Sequence, residues 1–208
     1  MTGLQEAGAL LAAEAARFAA MGWMRGTSGN LSLTLDRHPL RLAVTASGLD
    51  KGELGPDDVV LVDGSGELLP DDDRGLVPSA EAGLHARIAA VTGAGAAVHV
   101  HAMAAVEAGF FWPDGVELRD LEMLKGIGHS AHGETVVIPV VPNSQDMGEL
   151  GDRFEELYRH PADGIAEVPA LIVASHGLYA WGATLADARR HTEIVEWLLR
   201  FTVRTRAR

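Results

Sequence analysis

The stretch Ala96-Ala97-Val98-His99-Val100-His101 bears more on the fold of this chain than any other. Its apolar residues predict a buried β-strand that ends in two histidines. Because side chains alternate between the two faces of a strand, the imidazoles of His99 and His101 point to the same face with one residue between them. This spacing is typical of a pair of metal ligands, and equally of a hydrogen-bonded structural pair.

Strands and helices alternate on both sides of this stretch. Hydrophobic periodicity predicts helices at 4–21, 79–92, 150–158 and 184–199, and strands at 31–35, 42–45, 59–62, 96–100, 135–141 and 170–174. Thr184 and Asp187 resemble a capping box at the start of the last helix. Mixed elements in a chain of this size predict a layered α/β or α+β domain.

Length and composition indicate a single domain. The chain has 208 residues, of which 47% are hydrophobic, and this is enough for one full core and too little for two ordinary domains. No internal repeat or low-complexity linker interrupts the order of elements. The sequence therefore predicts one domain over residues 1–208.

The charge of the chain narrows the choice of partners. A formal net charge of -12 and a pI near 5.1 argue against nucleic acid or an anionic membrane surface, since both select basic patches. A small anionic substrate stays possible, because the field inside a pocket depends on a few local groups. Neither a signal peptide nor a membrane-spanning run is visible, so we expect a cytoplasmic protein.

The absence of cysteine limits any metal site to nitrogen and oxygen ligands. A catalytic zinc site commonly has three protein ligands and one open position, so His99 and His101 need a third partner. His176 is the best candidate, because it follows the apolar strand at 171–174. It also precedes Gly177, which permits close approach of the backbone.

Two carboxylates are candidates for proton transfer. Glu81 lies at the start of a predicted helix, where the helix dipole favours an anion whether or not it has a chemical role. Glu122 stands among apolar residues, a setting that can raise the pKa of a carboxyl group toward neutrality. An exposed helical residue that pairs with Lys125 three positions later would show the same pattern.

Hydroxyl and glycine residues are concentrated in two turns, at 27–30 and 45–48. Their backbone N–H and hydroxyl groups could bind a phosphate, and Ser79 at a helix start could add to them. Each turn alone describes an ordinary turn equally well. Their combination favours an anion site, to which Lys51 could add charge.

Taken together, these segments resemble the class II aldolase and adducin head-domain family. The resembling segments follow one another over nearly the whole chain, at 26–32, 45–48, 78–81 with His85, 99–101 and 175–177. The resemblance implies a three-layer αβα fold with a central, mostly antiparallel sheet flanked by helices, assembled as a homotetramer. It also implies one Zn²⁺ per subunit on His99, His101 and His176, and a phosphorylated sugar held by Asn30, Ser47, Gly48 and Ser79.

Further segments resemble the dehydratase branch of that family, at 122–127, 141–146, 176–182 and 188–191. This implies the loss of water from a phosphorylated methylthio-sugar in methionine salvage, without a redox cofactor. In that branch the glutamate matching Glu122 is the proposed acid/base, whereas in the aldolases the one matching Glu81 has this role. Both matches are present, so the assignment stays open between them.

Two other functions compete with dehydration. An aldolase or epimerase would use the same metal site to break a carbon–carbon bond of a sugar phosphate. A non-catalytic, adducin-like binding module would keep the fold and lack the metal histidines. His99, His101 and His176 are all present, which argues against the module.

Overall fold

The computed structural model describes residues 3–70, 72, 74–161 and 167–206. Five α-helices and one 3-10 helix lie in this part of the chain: α1 Leu4–Ala20, α2 Ala82–Thr92, α3 Met103–Phe111, the 3-10 helix Glu122–Ile127, α4 Met147–Arg159 and α5 Leu185–Arg206. The strands are β1 Asn30–Arg37, β2 Leu40–Thr45, β3 Val59–Asp63, β4 Ala96–Val100, β5 Val116–Leu118, β6 Val136–Ile138, β7 Val140–Val141, β8 Ala170–Val173 and β9 Gly177–Gly182.

Seven of these strands form the central sheet, in the order β3-β2-β1-β4-β9-β8-β7. Neighbouring strands are antiparallel except for β7 and β8, which are parallel. β5 and β6 form a separate antiparallel pair. This mostly antiparallel sheet flanked by helices confirms the predicted fold class.

Helices cover both faces of the sheet because β4 is apolar on both sides. Ala96, Val98 and Val100 pack on one face with residues of α1, α3 and α5. Ala97 packs on the other face in a cluster with residues of α2 and α4. Strands buried on both faces read as continuous apolar runs, and β4 has every residue buried. The result is three layers, helix on sheet on helix.

The strand register gathers the predicted motifs at one end of the sheet. Asn30 at the start of β1 lies opposite His99 near the end of β4, and His99 lies opposite Tyr179 near the start of β9. Strand β2 also ends at this edge of the sheet, where the Thr45 hydroxyl accepts a hydrogen bond from the Leu31 N–H at 3.1 Å. Segments that are far apart in sequence therefore meet at this end.

The structure differs from the sequence prediction at 135–141, which forms two short strands in two sheets. Val136–Ile138 pairs with β5, and Val140–Val141 pairs with β8 at the edge of the central sheet. Pro139 separates them, because it has no N–H to donate to a ladder. Its carbonyl still accepts a hydrogen bond from Ile172 N–H at 2.9 Å.

The start of α5 agrees with its sequence prediction. The Thr184 hydroxyl accepts a hydrogen bond from the Asp187 N–H at 3.1 Å, as in a capping box. Among the described residues, no helix combines the length and the apolar character that crossing a bilayer requires.

Gly177 permits the close approach of β9 to β4. A Cβ built on this residue would lie 2.4 Å from the carbonyl oxygen of Val100 and 3.1 Å from Cε1 of His99. We therefore expect Gly177→Ala to push the two strands apart and to lower the free energy of unfolding by about 1–3 kcal/mol. Urea denaturation would measure the loss.

Gly64→Ala is the matched control for this substitution. Its Cβ would meet the side chain of Leu40 at 3.5 Å, which is ordinary contact. We expect a change of less than about 1 kcal/mol for this variant. Equal stability of the Gly177 and Gly64 variants would contradict the steric account.

Candidate metal centre and active site

Three histidines and one glutamate converge at the end of the sheet described above. One ligand atom from each of Glu81, His99, His101 and His176 lies within 4.8 Å of all the others. The Nε2 atoms of His99 and His101 are 2.9 Å apart. Oε1 of Glu81 is 2.9 Å from Nε2 of His176 and 3.7 Å from Nε2 of His99. The three predicted metal histidines are thus brought together.

His99 has a buried ring with one nitrogen already committed. Its Nδ1 lies 3.1 Å from the carbonyl oxygen of Leu178, so the proton belongs on Nδ1 and the lone pair of Nε2 faces the cluster. Burial lowers the pKa of His99 to about 3, despite the opposing attraction of Glu81. Burial also lowers the pKa of His101. Neutral imidazole, the form that binds metal, is therefore favoured at both positions.

Glu81 is the residue immediately before α2, at its N-cap. Burial raises the pKa of its carboxyl group, but the hydrogen bond to His176, the nearby His99 ring and the hydrogen bond from Asn30 outweigh burial and leave the pKa well below its ordinary range. Since these groups and the positive end of the helix dipole all favour the anion, Glu81 is ionised at neutral pH. A fixed negative charge consequently lies beside three imidazoles.

The donor set of this cluster fits a divalent cation. Ligands at about 2.1 Å around a tetrahedral zinc ion lie about 3.4 Å from one another, close to the separations of these nitrogen and oxygen atoms. Nε2 of His101 faces the Nε2 lone pair of His99 at 2.9 Å, a separation that two nitrogens bound to one cation can also adopt. Imidazole and carboxylate ligands accept zinc as well as iron, cobalt or manganese.

A pocket of about 250 Å³ adjoins the cluster. It is lined by both predicted anion-binding turns, by Ser79 and by two members of the cluster: Thr27, Ser28, Gly29, Asn30, Ala46, Ser47, Gly48, Lys51, Ser79, Ala80, Glu81 and His101. The Asn30 amide connects the two parts, since its Nδ2 donates to the Ser79 hydroxyl at 2.9 Å and to the Glu81 carboxylate. The predicted substrate residues Asn30, Ser47, Gly48 and Ser79 therefore share one cavity.

Lys51 is a buried cationic residue in the wall of this pocket, with 1% of its surface exposed. Its Nζ donates to the carbonyl oxygens of Thr27 at 3.0 Å and of Leu49 at 2.7 Å. Burial lowers the pKa of Lys51, while Asp50 and Glu81 oppose this effect. An ammonium group has three N–H donors, so one remains for an anion in the pocket.

Glu122 is not brought to the cluster within this chain. It begins the 3-10 helix, its side chain is 72% exposed, and its carboxylate accepts a hydrogen bond from Lys125 at 2.6 Å. The ion pair with Lys125 lowers the pKa of Glu122. Glu122 thus has the exposed position and the ion pair with Lys125 that the sequence analysis gave as an alternative to a catalytic role. It is not among the residues that line the pocket.

Sequence reasoning gave too little weight to two residues of this region. Lys51 was only a possible source of charge, and His85 was one matching position in a motif. His85 is fully buried and contacts Asn30 and Ser32. Helix α2 places His85 one helical turn after Glu81, on the same face.

The fold and site identify the class of protein. The family described as "Class II Aldolase and Adducin N-terminal domain" matches residues 9–203, and the chain belongs to this family. The family resemblance seen in the sequence is thereby confirmed.

Among its relatives, the methylthioribulose-1-phosphate dehydratase of Methylococcus capsulatus is 42% identical over 197 residues, covering 93% of this chain and 90% of the relative. The enzyme of the same name from Persephonella marina is 34% identical over 185 residues, covering 86% of this chain and 81% of the relative. The solved L-fuculose-1-phosphate aldolase of Thermus thermophilus superposes with a TM-score of 0.72 at 24% identity, covering 98% of this chain and 95% of that one. This last likeness supports the fold.

The buried histidines make stability depend on pH. Burial lowers the pKa of His85 to about 4, despite the attraction of Glu81. Below about pH 6.5 the unfolded chain takes up a proton at this residue, whereas the folded chain does not until about pH 4. The contribution of this group to the free energy of unfolding is therefore fully present above pH 6.5 and is lost as the pH falls toward 4.

Between pH 7 and pH 5, we expect the free energy of unfolding to fall by about 2 kcal/mol less in His85→Gln than in the wild type, because glutamine does not titrate. Urea denaturation with a chelator present at both pH values would measure the difference. Parallel losses in the two proteins would contradict it.

Proposed function

We propose that this chain catalyses the zinc-dependent dehydration of 5-methylthioribulose 1-phosphate to 2,3-diketo-5-methylthiopentyl 1-phosphate, a carbon–oxygen lyase step of methionine salvage in the cytoplasm. The observation that carries the proposal is the cluster of Glu81, His99, His101 and His176 beside a pocket of hydroxyl, glycine and lysine groups. Dehydratase relatives that align over most of the chain support the choice of reaction. We propose that residues 1–208 act as one class II aldolase-like domain.

The metal of this proposal is Zn²⁺, one per subunit, held by His99, His101 and His176. When bound, zinc supplies a Lewis acid for the sugar carbonyl, which makes the neighbouring C3 proton more acidic. The Leu178 carbonyl fixes the orientation of the His99 ring.

The pocket residues bind and orient the substrate. Ser47, Gly48 and Ser79 hold the phosphate through hydroxyl and backbone N–H donors, Asn30 orients the Ser79 hydroxyl through its amide, and the ammonium of Lys51 opposes the charge of the phosphate. The phosphate then anchors the sugar with its carbonyl end toward the histidines. Binding energy from this remote group serves to position the reacting carbons.

Glu122 is the proposed acid/base. It removes the C3 proton and returns it to the departing C4 hydroxyl, so that water leaves and an enol forms that tautomerises to the diketone. Glu81 is less suited to accept a proton, because its surroundings hold its pKa low and favour the anion. We assign to Glu81 the supporting roles of holding the Asn30 amide and of placing a negative charge beside the three imidazoles.

The exposed position of Glu122 is compatible with action in the pocket of a neighbouring subunit. We propose a homotetramer, and large exposed apolar side chains on α3 and α5 support an assembly that covers them. Phe110 is 73% exposed and Met103 68%, while Trp197 and Phe201 are stacked on each other with 43% and 42% exposed. Neither nucleic acid nor a membrane is part of the proposal.

Product analysis tests the reaction directly. Purified protein loaded with zinc is incubated with 5-methylthioribulose 1-phosphate, with L-fuculose 1-phosphate and with ribulose phosphates. We expect the diketone from the first substrate and no aldehyde from any of them. Aldehyde release without diketone would establish the aldolase instead, a function that the position of Glu81 in the cluster favours.

Paired substitutions separate the two glutamates. We expect Glu122→Gln to lower kcat by about 10²–10⁴-fold at unchanged zinc content, because general acid–base catalysis contributes that much. Glu81→Gln should weaken zinc binding by about 10–100-fold and recover activity at saturating zinc. Glu117→Gln, an exposed glutamate paired with Arg119, is the control and should leave kcat unchanged.

If Glu81→Gln is inactive at saturating zinc while Glu122→Gln has normal kcat, the assignment is wrong. Co-assembly of Glu122→Gln with zinc-free His101→Gln subunits tests the shared site. Mixed tetramers should regain about a quarter of the wild-type activity if the groups come from different subunits.

The role of Lys51 has its own test. We expect Lys51→Met to raise KM by about 10–100-fold with kcat within about threefold, since a hydrogen bond to a charged group contributes about 1.5–3 kcal/mol. Inorganic phosphate should bind the variant correspondingly more weakly by calorimetry. Arg153→Met, on the exposed surface of α4, is the control. Unchanged phosphate affinity in Lys51→Met would refute the role.

A further inference from the structure

A buried chain of hydrogen bonds runs behind the pocket, from β1 to α2. The Ser32 hydroxyl is 2.7 Å from Nδ1 of His85, and Nε2 of His85 is 2.5 Å from Oδ1 of Asn30. Ser32 and His85 are 1% and 0% exposed, and neither lines the pocket or belongs to the metal cluster. Asn30 then continues the chain to Ser79 and Glu81.

The direction of the protons along this chain follows from its last member. The Glu81 carboxylate only accepts hydrogen bonds, so the Asn30 amide must turn its NH₂ group toward it. The Asn30 carbonyl oxygen then faces His85, whose Nε2 must carry the proton. Nδ1 of His85 is left as an acceptor for the Ser32 hydroxyl. One arrangement of protons satisfies every contact.

The alternative orientation of the Asn30 amide is unfavourable. It would place Oδ1 against the Glu81 carboxylate, which is a repulsive contact between two acceptors in a buried setting, whichever tautomer His85 adopts. The same Asn30 nitrogen also donates to Ser79, which lines the pocket wall. Whatever fixes this amide therefore fixes Glu81 and Ser79 relative to each other.

We propose that His85 is a positioning residue, whose Nε2–H fixes the orientation of the Asn30 amide. This amide in turn holds the Glu81 carboxylate beside the metal histidines and the Ser79 hydroxyl in the pocket wall at a fixed separation. The inference deepens the proposed function and rests on it only for its kinetic consequence. Burial favours the neutral ring, since it lowers the pKa of His85 to about 4. The Ser32 hydroxyl selects the tautomer.

The tautomer can be read without substrate. Protein labelled with ¹⁵N-histidine is examined by long-range ¹H–¹⁵N NMR at neutral pH, and the His85 signals are assigned by their loss in His85→Gln. We expect the Nε2–H tautomer in the wild type and a mixture of tautomers in Ser32→Ala. The Nδ1–H tautomer in the wild type would overturn the proposal, because Asn30 would then have to present its oxygen to Glu81.

Two variants separate the hydrogen bond from the packing. His85→Gln retains an N–H donor, whereas His85→Phe retains a ring and loses the donor. We expect zinc affinity, measured by chelator competition, to fall by about 10–100-fold in His85→Phe and to be within about threefold of the wild type in His85→Gln. Thermal unfolding of both variants monitors the fold.

Kinetics supply a second readout. With zinc saturating, His85→Phe should lower kcat more than it raises KM, and His85→Gln should restore most of kcat. If the two variants lose zinc affinity and kcat equally, in proportion to their loss of thermal stability, His85 has a packing role and the proposal fails. Because the NMR and zinc measurements use no sugar, they stand even if the substrate is a different one.

Discussion

The antiparallel register of Asn30, His99 and Tyr179 across β1, β4 and β9 is the constraint on which the rest of the site depends. It places the start of one strand, the end of the second and the start of the third side by side. A shift of one residue would turn every side chain of β4 to the opposite face. The apolar residues on both faces of β4 resist such a shift, because each packs into a separate helical layer.

Burying polar groups at this end of the sheet is costly, and the structure gives three of them local hydrogen-bond partners. Nδ1–H of His99 donates a hydrogen bond to a carbonyl, Nζ of Lys51 donates to two carbonyls, and the Glu81 carboxylate is surrounded by donors. Leaving any of these groups without a partner would cost about 1–3 kcal/mol or more. The site therefore forms as one network, in which the loss of a partner affects the groups beyond it.

The sequence predicted the parts that depend on local periodicity. The shared face of His99 and His101 follows from the alternation of side chains along a strand, and the burial of β4 follows from its apolar run. The layered fold, the positions of α1, α2, α4 and α5 and the capping of α5 were predicted for similar reasons, whereas α3 and the 3-10 helix were not predicted.

Long-range pairing was beyond such reasoning. Spacing alone could not show that Asn30 meets Glu81, that His85 lies behind Asn30, or that Lys51 turns inward, since each contact joins segments from different elements. The single strand predicted at 135–141 is two strands in the structure, because the residues before Pro139 pair with β5 and the residues after it pair with β8. In the proposed function the role of Glu122 depends on a neighbouring subunit, so neither periodicity nor the fold of one subunit decides it.

The side chain of Lys51 joins the turn at 27–30 to the segment that follows the turn at 45–48, through the carbonyls of Thr27 and Leu49. An anion that binds the remaining N–H of Lys51 therefore also stabilises the folded state by linkage. Buffer composition would then be a variable in handling this protein, with phosphate protecting it against heat and proteolysis where a non-coordinating amine buffer would not.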